Sequence, residues 1–165
     1  MLTSRSNLFV CIAMATLLIA GCAPVISSRA LREVDQSLSF ERLLDDPEVY
    51  KGKTVLVGGT IINTRNFPDR TLITVLQRPL GFRNKPTSED ISRGRFILYV
   101  PGFLDPAIYH PGRKITVVGS LVGKEVGPLG EIEYTYPVIH KKELYLWPAT
   151  VYMPVHFGVA VGTGF

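Results

Sequence analysis

The chain has few of the side chains from which covalent or metal-dependent chemistry is usually built. Its 165 residues include two cysteines, three histidines and one tryptophan. The histidines His110, His140 and His156 are far apart, and none has the spacing to Cys, Asp or Glu that is typical of metal ligands. No nucleophile, base and orienting group are recognisable together. We therefore expect no catalytic residue, no metal site and no cofactor.

The chain also lacks an apolar run of the roughly 20 residues that a membrane-spanning helix needs. Its N-terminal apolar segment, residues 8–20, is shorter and follows a single positive charge at Arg5. The segment runs into Ile19-Ala20-Gly21-Cys22, where small residues precede a thiol. This pattern is typical of a bacterial lipoprotein signal peptide, which is cleaved before a cysteine that becomes acylated. We predict that residues 1–21 are removed and that Cys22 carries the lipid, including palmitate.

Cleavage would also remove Cys11, so the folded part would contain no free thiol and no disulfide. Two or more acyl chains on Cys22 would anchor the protein stably, whereas one chain alone is marginal. Position 23 is Ala rather than Asp, which favours sorting to the outer membrane. We expect an outer-membrane protein with its domain on the periplasmic side.

A strong charge of one sign is missing too. The formal net charge is +4, and one of these positive charges is Arg5 in the signal segment. With so weak a charge and a membrane anchor, nucleic acid is not an expected partner. Basic residues do gather in places where anionic headgroups could bind, the alternative being an ordinary solvated surface. They are Arg83, Lys85, Arg93 and Arg95 around a loop, and the pairs Arg113-Lys114 and Lys141-Lys142.

What the chain does have is a succession of strand-type segments after Lys53. β-Branched and alternating patterns predict strands at residues 54–63, 70–77, 95–100, 114–124 and 131–147, the last broken near Pro137. Internal glycines in the first and fourth strands indicate bulges or bends. The spacing predicts a mostly β fold, a small curved five-stranded OB-like barrel. The alternative is a two-sheet β-sandwich, and pairing of the first strand with both the fourth and another strand would distinguish them.

The predicted core consists of the inward positions of these strands. They are Val55, Val57, Ile61, Ile73, Val75, Phe96, Leu98, Ile115, Val117, Leu121 and Val138. Two short helical turns precede the strands, the first capped by Ser39 and the second opened by Pro47. Their apolar residues should cover one end of the sheet: Phe40, Leu43, Leu44, Val49 and Tyr50.

Residues 23–39 allow two interpretations. Prolines and serines predict a tether, whereas Leu31, Val34 and Leu38 have the spacing of a short amphipathic helix lying on the domain or the membrane. Residues 148–165 form an apolar, glycine-rich tail without charge, in which alternation predicts a strand that pairs with a partner, the bilayer or another copy. Disorder or an edge strand of the same domain are the alternatives. The candidate association residues are Val151, Val155, Phe157 and Phe165.

Several ordered motifs between Cys22 and about Trp147 resemble a known family. They are the lipobox, Phe40-x-x-Leu43, Asp46-Pro47-Glu48-x-Tyr50-Lys51-Gly52-Lys53, Val75-Leu76-Gln77-x-Pro79-Leu80, Gly94-Arg95-Phe96, Phe103-Leu104-Asp105-Pro106-x-x-Tyr109, Gly112-Arg113-x-Ile115-Thr116-Val117-x-Gly119 and Tyr134-x-Tyr136-Pro137-Val138. Together they resemble the Slp family of starvation-inducible outer-membrane lipoproteins. The resemblance implies a role in starvation or envelope stress, and it brings no active site.

The sequence thus predicts four segments: a signal peptide at 1–21, an anchor and tether at 22–39, a β domain at 40–147 and a tail at 148–165. The first functional hypothesis is a non-enzymatic, lipid-anchored protein that interacts with membrane or protein partners. The alternative is a module that binds a small ligand or lipid headgroup on a barrel face formed by Tyr134, Tyr136 and Trp147.

Overall fold

The computed structural model describes residues 24–149. Two short helices, α1 (Ser28–Arg32) and α2 (Phe40–Asp45), precede five strands and one turn of 3-10 helix at Phe82–Asn84. The strands are β1 (Thr54–Asn66), β2 (Arg70–Gln77), β3 (Arg95–Pro101), β4 (Lys114–Leu129) and β5 (Ile132–Leu146). Cys22 and the tail residues Val151, Val155, Phe157 and Phe165 lie outside the described residues.

The five strands close into a barrel in the order β1-β2-β3-β5-β4. β1 pairs antiparallel with β2 on one side and with β4 on the other. β3 and β5 pair in parallel. Because each of the five strands has a partner on both sides, the sheet has no open edge, whereas each sheet of a sandwich has two. The OB-like barrel is confirmed.

Three irregularities set the direction of the side chains. Ile62, Val122 and Lys142 are extra residues in their strands, each without a register partner. An extra residue moves the following side chains to the other face, because strand side chains alternate with period two. In β5 the inward residue before the Lys142 bulge is Ile139, whereas Leu144 and Leu146 point to the core after it. The assignment of Val138 to the core was therefore wrong; Val138 pairs with Ile97, which is not in the barrel core cluster.

Strand β4 is longer than the sequence predicts, and β5 is continuous where a break near Pro137 is predicted. β4 continues to Leu129, five residues past its predicted end at residue 124, and the chain turns at Gly130, whose φ is +64°. β5 also runs through Pro137 without a break. At this point β5 pairs with β4 alone, because its pairing with β3 starts at Val138. A proline is tolerated where one side of the strand needs no ladder hydrogen bond.

The barrel interior is a single apolar cluster that contains the other ten predicted core residues. Helix α2 covers one end with Phe40 and Leu43, and the Phe40 ring meets Phe96 edge to face at 5.9 Å. Ser39 stands at the N-cap position of α2, but its hydroxyl caps no amide. Val49, predicted to help cover this end, is 68% exposed. We call this the helix end of the barrel.

The segment that links β3 to β4, residues 102–113, covers the opposite end, which we call the connector end. Leu104 and Tyr109 of this connector pack against the core. Backbone bonds attach it to the β1–β2 hairpin: Gly102 donates to the Asp69 carbonyl at 2.9 Å, and Gly112 to the Ile61 carbonyl at 2.9 Å. The two ends of the barrel are thus closed by different parts of the chain.

Candidate functional site

The aromatic residues predicted to form one binding face do not lie together. Tyr134 and Tyr136 are neighbours, with ring centroids 4.7 Å apart. The Tyr134 hydroxyl accepts a hydrogen bond from the Arg95 amide at 2.9 Å. The Tyr136 hydroxyl donates one to the Pro128 carbonyl at 3.1 Å. Trp147 follows the far end of β5. Since a strand advances about 3.3 Å per residue, Trp147 is several nanometres of chain away from Tyr134, and no common face exists.

Trp147 instead fixes the loop between β2 and β3. It is buried, and its indole Nε1 donates to Thr116 Oγ1 at 2.9 Å. That hydroxyl donates in turn to the Asn84 carbonyl at 2.7 Å. The ring packs against Tyr145, and the Lys85 ammonium lies 5.3 Å from its centre. Lys85 is held at the surface by this cation–π contact.

The segment before α2 packs on the barrel wall, so most of the predicted tether is part of the folded unit. Ile26 is fully buried in a small cluster with Ala30 and Val118, against which Val25 and Tyr145 pack. A short helix is observed at Ser28–Arg32, but it contains only Leu31 of the three residues whose spacing predicts a helix.

The direction of this segment along the wall follows from its polar contacts. Asp35 donates its amide to the Thr54 carbonyl at 2.9 Å, and Glu33 binds Lys142 at 2.8 Å. Ser27 then donates through its amide and hydroxyl to Glu143 at 2.8 and 2.7 Å. Traced backwards, the chain therefore follows β5 from Lys142 towards Trp147. Val25 accordingly packs on the same small cluster as Tyr145, which lies two residues before Trp147.

Arg113 joins that side of β5 to the connector. Its guanidinium donates to the Ile108 carbonyl at 3.1 Å and to the Trp147 carbonyl at 2.8 Å. The connector and the end of β5 thus meet at one place. The N-terminal segment comes from the same end of the molecule.

Three large apolar side chains are exposed at the connector end, and we call them the apolar rim. Phe103 is 70% exposed, Ile108 51% and Phe67, in the β1–β2 turn, 37%. The Arg70 guanidinium lies 4.8 Å from the centre of the Phe67 ring and also pairs with Asp69. An aromatic and aliphatic rim beside a cation is typical of surfaces that meet the headgroup region of a bilayer.

A pocket next to the rim contains only basic ionisable groups. It has a volume of about 250 Å³ and is lined by Lys85, His110, Pro111, Gly112, Arg113, Lys114, Pro148 and Ala149. Sequence reasoning noted Lys85 and the Arg113-Lys114 pair only as parts of a basic surface. The pocket itself could not be read from the sequence, because its wall comes from three segments that only the barrel brings together.

The protonation of Lys114 is affected by its burial and by the positive charges around it. Its ammonium donates to the carbonyls of Pro86 and Thr87 and to Ser88 Oγ, at 3.1, 2.9 and 2.8 Å. Burial lowers the pKa of Lys114 below its ordinary value, and the positive charges of Lys85 and Arg78 lower it further. Lys114 thus lies in a region of positive potential.

Metal ligation and membrane-spanning helices find no support among residues 24–149. No group of three or more His, Cys, Asp or Glu side chains in this range could hold a metal ion. No helix within these bounds has both the length and the apolar character needed to cross a membrane.

Comparison with known proteins gives a family and two relatives. Residues 19–161 match the family described as the outer membrane lipoprotein Slp family. An uncharacterized protein of Haemophilus influenzae is 42% identical over 96 residues, which are 58% of this chain and 52% of the relative. The uncharacterized lipoprotein YeaY of Escherichia coli is 29% identical over 140 residues, or 84% of this chain and 72% of YeaY. The match thus spans about half of the Haemophilus protein, and no solved structure gives a significant match.

Proposed function

The chain belongs to the Slp family of outer membrane lipoproteins, and from this premise we propose that it is a non-enzymatic protein, anchored through acylated Cys22, whose connector end rests on the membrane. The observation that carries the proposal is the apolar rim, which lies at the end from which the N-terminal segment comes. The folded domain would face the periplasm. From the family resemblance we also propose that the protein serves in starvation or envelope stress.

The position of the anchor supports this orientation. Cys22 precedes Pro24 by two residues, which span at most about 7 Å of extended chain. Ile26 and Ser27 are fixed to β4 and β5 by burial and by the two bonds to Glu143. Lipid on Cys22 would therefore hold the Trp147 side of the barrel close to the bilayer, where the rim can reach it.

The rim also gives a reason for contact beyond tethering. Transfer of a Phe or Ile side chain out of water stabilises a bound state by about 1.5–3 kcal/mol when burial is complete. Three such residues, only partly inserted, would add to the membrane contact of a domain whose orientation is set by the attachment of its N-terminal segment. They need not hold the protein on the membrane alone.

A fluorescence experiment tests the orientation in the full-length, acylated protein reconstituted in vesicles. With Cys22 acylated and Cys11 removed with the signal, a single introduced thiol can be labelled. Phe103→Cys places an environment-sensitive dye on the rim, and Val49→Cys places it at the helix end, at a site of similar exposure. Lipids with spin labels on their acyl chains should quench the first dye and leave the second bright. Equal quenching of both dyes would reject the orientation.

The tail supports a second proposed contact, because its uncharged alternation suits pairing with another envelope protein or a second copy. The residues concerned are Val151, Val155, Phe157 and Phe165. A small-ligand role for the Tyr134 and Tyr136 face has less support, since both hydroxyls are already bonded within the barrel.

A further inference from the structure

We propose that the basic pocket between the connector and the end of β5 binds a phosphate group. The pocket is formed by Lys85, His110, Arg113 and Lys114. The inference does not rest on the proposed membrane orientation, because phosphate binding can be measured without a bilayer.

The positive charges of the pocket have no carboxylate partners among the described residues. Lys85, Arg113 and Lys114 are all cations, and within residues 24–149 none of them forms an ion pair. The other lining residues carry no carboxylate. Gathering like charges in a partly buried site costs free energy, and an anion that enters the site relieves this repulsion.

The pocket also offers hydrogen-bond donors that have no acceptor in the described part of the chain. The Lys85 ammonium has a ring contact with Trp147 and no hydrogen bond to an acceptor in the described part of the chain, so its protons can reach a ligand. Arg113 uses its two terminal nitrogens on carbonyls, but its Nε is buried without a partner among the described residues. An unpaired buried donor costs roughly 1–3 kcal/mol, which a bound anion or a water could offset.

The roles within the pocket therefore differ. Lys114 already donates to three oxygens, so it supplies positive potential rather than a direct contact. His110 Nδ1 donates to the Pro111 carbonyl at 2.8 Å, so Nε2 of the neutral ring is an acceptor and offers no hydrogen bond to an anion. Lys85 is the principal direct ligand for the anion.

Phosphate is the anion that fits these donors best. It carries up to two negative charges and accepts several hydrogen bonds, which suits the Lys85 ammonium and the Arg113 Nε that has no partner among the described residues. The cavity of about 250 Å³ far exceeds the roughly 10–15 Å³ that a single water needs. The phosphate could belong to a lipid headgroup, since Arg113 links the pocket to the rim at Ile108, or to a free phosphate ester.

The test uses full-length protein in neutral detergent micelles and inorganic phosphate as the probe. Titration calorimetry, at constant ionic strength set with chloride, should show saturable binding to the wild type. Lys85→Gln should weaken it by roughly tenfold or more, because a charge-assisted bond is lost. Lys85→Arg should restore most of it. The matched control, Lys124→Gln, removes an exposed lysine from β4 outside the pocket and should leave binding unchanged.

Circular dichroism and thermal melting of each variant check that Lys85→Gln keeps its fold. If it does not, the comparison of Lys85→Arg with the wild type, together with Lys124→Gln, carries the test. No saturable phosphate binding by the wild type, or an equal loss in Lys85→Gln and Lys124→Gln, would overturn the proposal.

A second arm identifies the source of the phosphate. Vesicles of phosphatidylcholine with and without phosphatidic acid are compared for retention of the protein, and free phosphate is added as competitor. Retention that depends on phosphatidic acid, requires Lys85 and falls with free phosphate assigns a lipid headgroup. Saturable binding of free phosphate without preference for phosphatidic acid assigns a soluble phosphate ester. Either result supports phosphate binding, and neither depends on the orientation of the rim.

Discussion

Two glycines in the barrel wall stand where no side chain fits. A Cβ on Gly59 would overlap the Leu76 carbonyl oxygen and lie 2.9 Å from Val75 Cγ1. A Cβ on Gly119 would lie 2.6 Å from Ile139 Cγ2. Internal glycines predict bulges, but the bulge in β1 is at Ile62. At Gly59 and Gly119 the glycine is needed for close approach of a neighbouring strand.

Gly59→Ala should therefore destabilise the barrel. The added methyl group must displace the β2 backbone, and overpacking of this kind costs about 1–3 kcal/mol or more. Gly127→Ala is the matched control, because a Cβ there meets only Tyr136 Cε2 at 3.8 Å, an ordinary contact. Chemical denaturation measures both. Equal free energies of unfolding for the two variants would show that the β1–β2 approach is less tight than described.

At the scale of elements, the alternation of apolar and polar residues correctly predicts the bounds and the inward face of a strand that has no bulge. β2 begins and ends where the pattern predicts, and ten of the eleven predicted core residues are in the core cluster. The errors occur at two kinds of place. At Lys142 an extra residue reverses which side chains point inward. At Pro137 the strand continues although proline usually interrupts a strand, because one side of β5 has no partner there. A bulge is set by pairing with a neighbour, so a single strand's sequence does not reveal it.

The N-terminal segment shows the same dependence on context. Serines and prolines suggested a tether, while the apolar residues suggested a helix, and the choice depended on a surface to which the helix could bind. That surface is the wall around Val118 and Tyr145. Because Glu143 and Lys142 come from more than a hundred residues away, their contacts with this segment could not be foreseen locally.

Acid should weaken the docking of this segment. Hydrogen bonds from Ser37 and Lys53 lower the pKa of Asp35 below its ordinary value of 3.8, and Lys142 lowers the pKa of Glu33 below 4.5. A carboxyl with a lowered folded-state pKa stabilises the fold above its ordinary value, and this stabilisation is lost as pH falls through the lowered pKa.

Hydrogen exchange of residues 26–38, followed from neutral pH down to below the ordinary carboxyl pKa values of 4.5 and 3.8, measures this loss. After correction for the intrinsic pH dependence of exchange, protection should fall in the acid range. Asp35→Asn should show low protection already at the upper end of the range and a smaller further change. Protection that is independent of pH in the wild type would mean that burial of Ile26 alone holds the segment.

At the scale of the whole molecule, the fold was more accessible to sequence reasoning than the candidate site. Strand number and barrel closure follow from patterns that each segment carries by itself. The pocket joins Lys85 from the β2–β3 loop, Arg113 from the connector and Ala149 after β5. The prediction that Tyr134, Tyr136 and Trp147 form one face was wrong, because residues at opposite ends of a long strand are far apart.

The tail is predicted to serve association and not folding. In the described part of the chain, the barrel core draws on residues 38–146. Deleting residues 150–165 should therefore leave the melting temperature nearly unchanged. The same deletion should reduce crosslinked assemblies in intact cells, since the alternating segment would no longer be available to pair. A large fall in melting temperature would instead make the tail a structural part of the domain, and unchanged crosslinking would remove its proposed role.

The proposed anchoring and orientation both require a lipid on Cys22, and metabolic labelling with radioactive palmitate tests for that lipid most directly. Cells that produce the wild type should yield a labelled protein in the outer membrane fraction. Cys22→Ser should be unlabelled, and it should be either uncleaved or released from the membrane, because a hydroxyl in place of the thiol cannot form the thioether that carries the lipid. Palmitate in Cys22→Ser, or an unlabelled wild type that still fractionates with the outer membrane, would contradict the anchor.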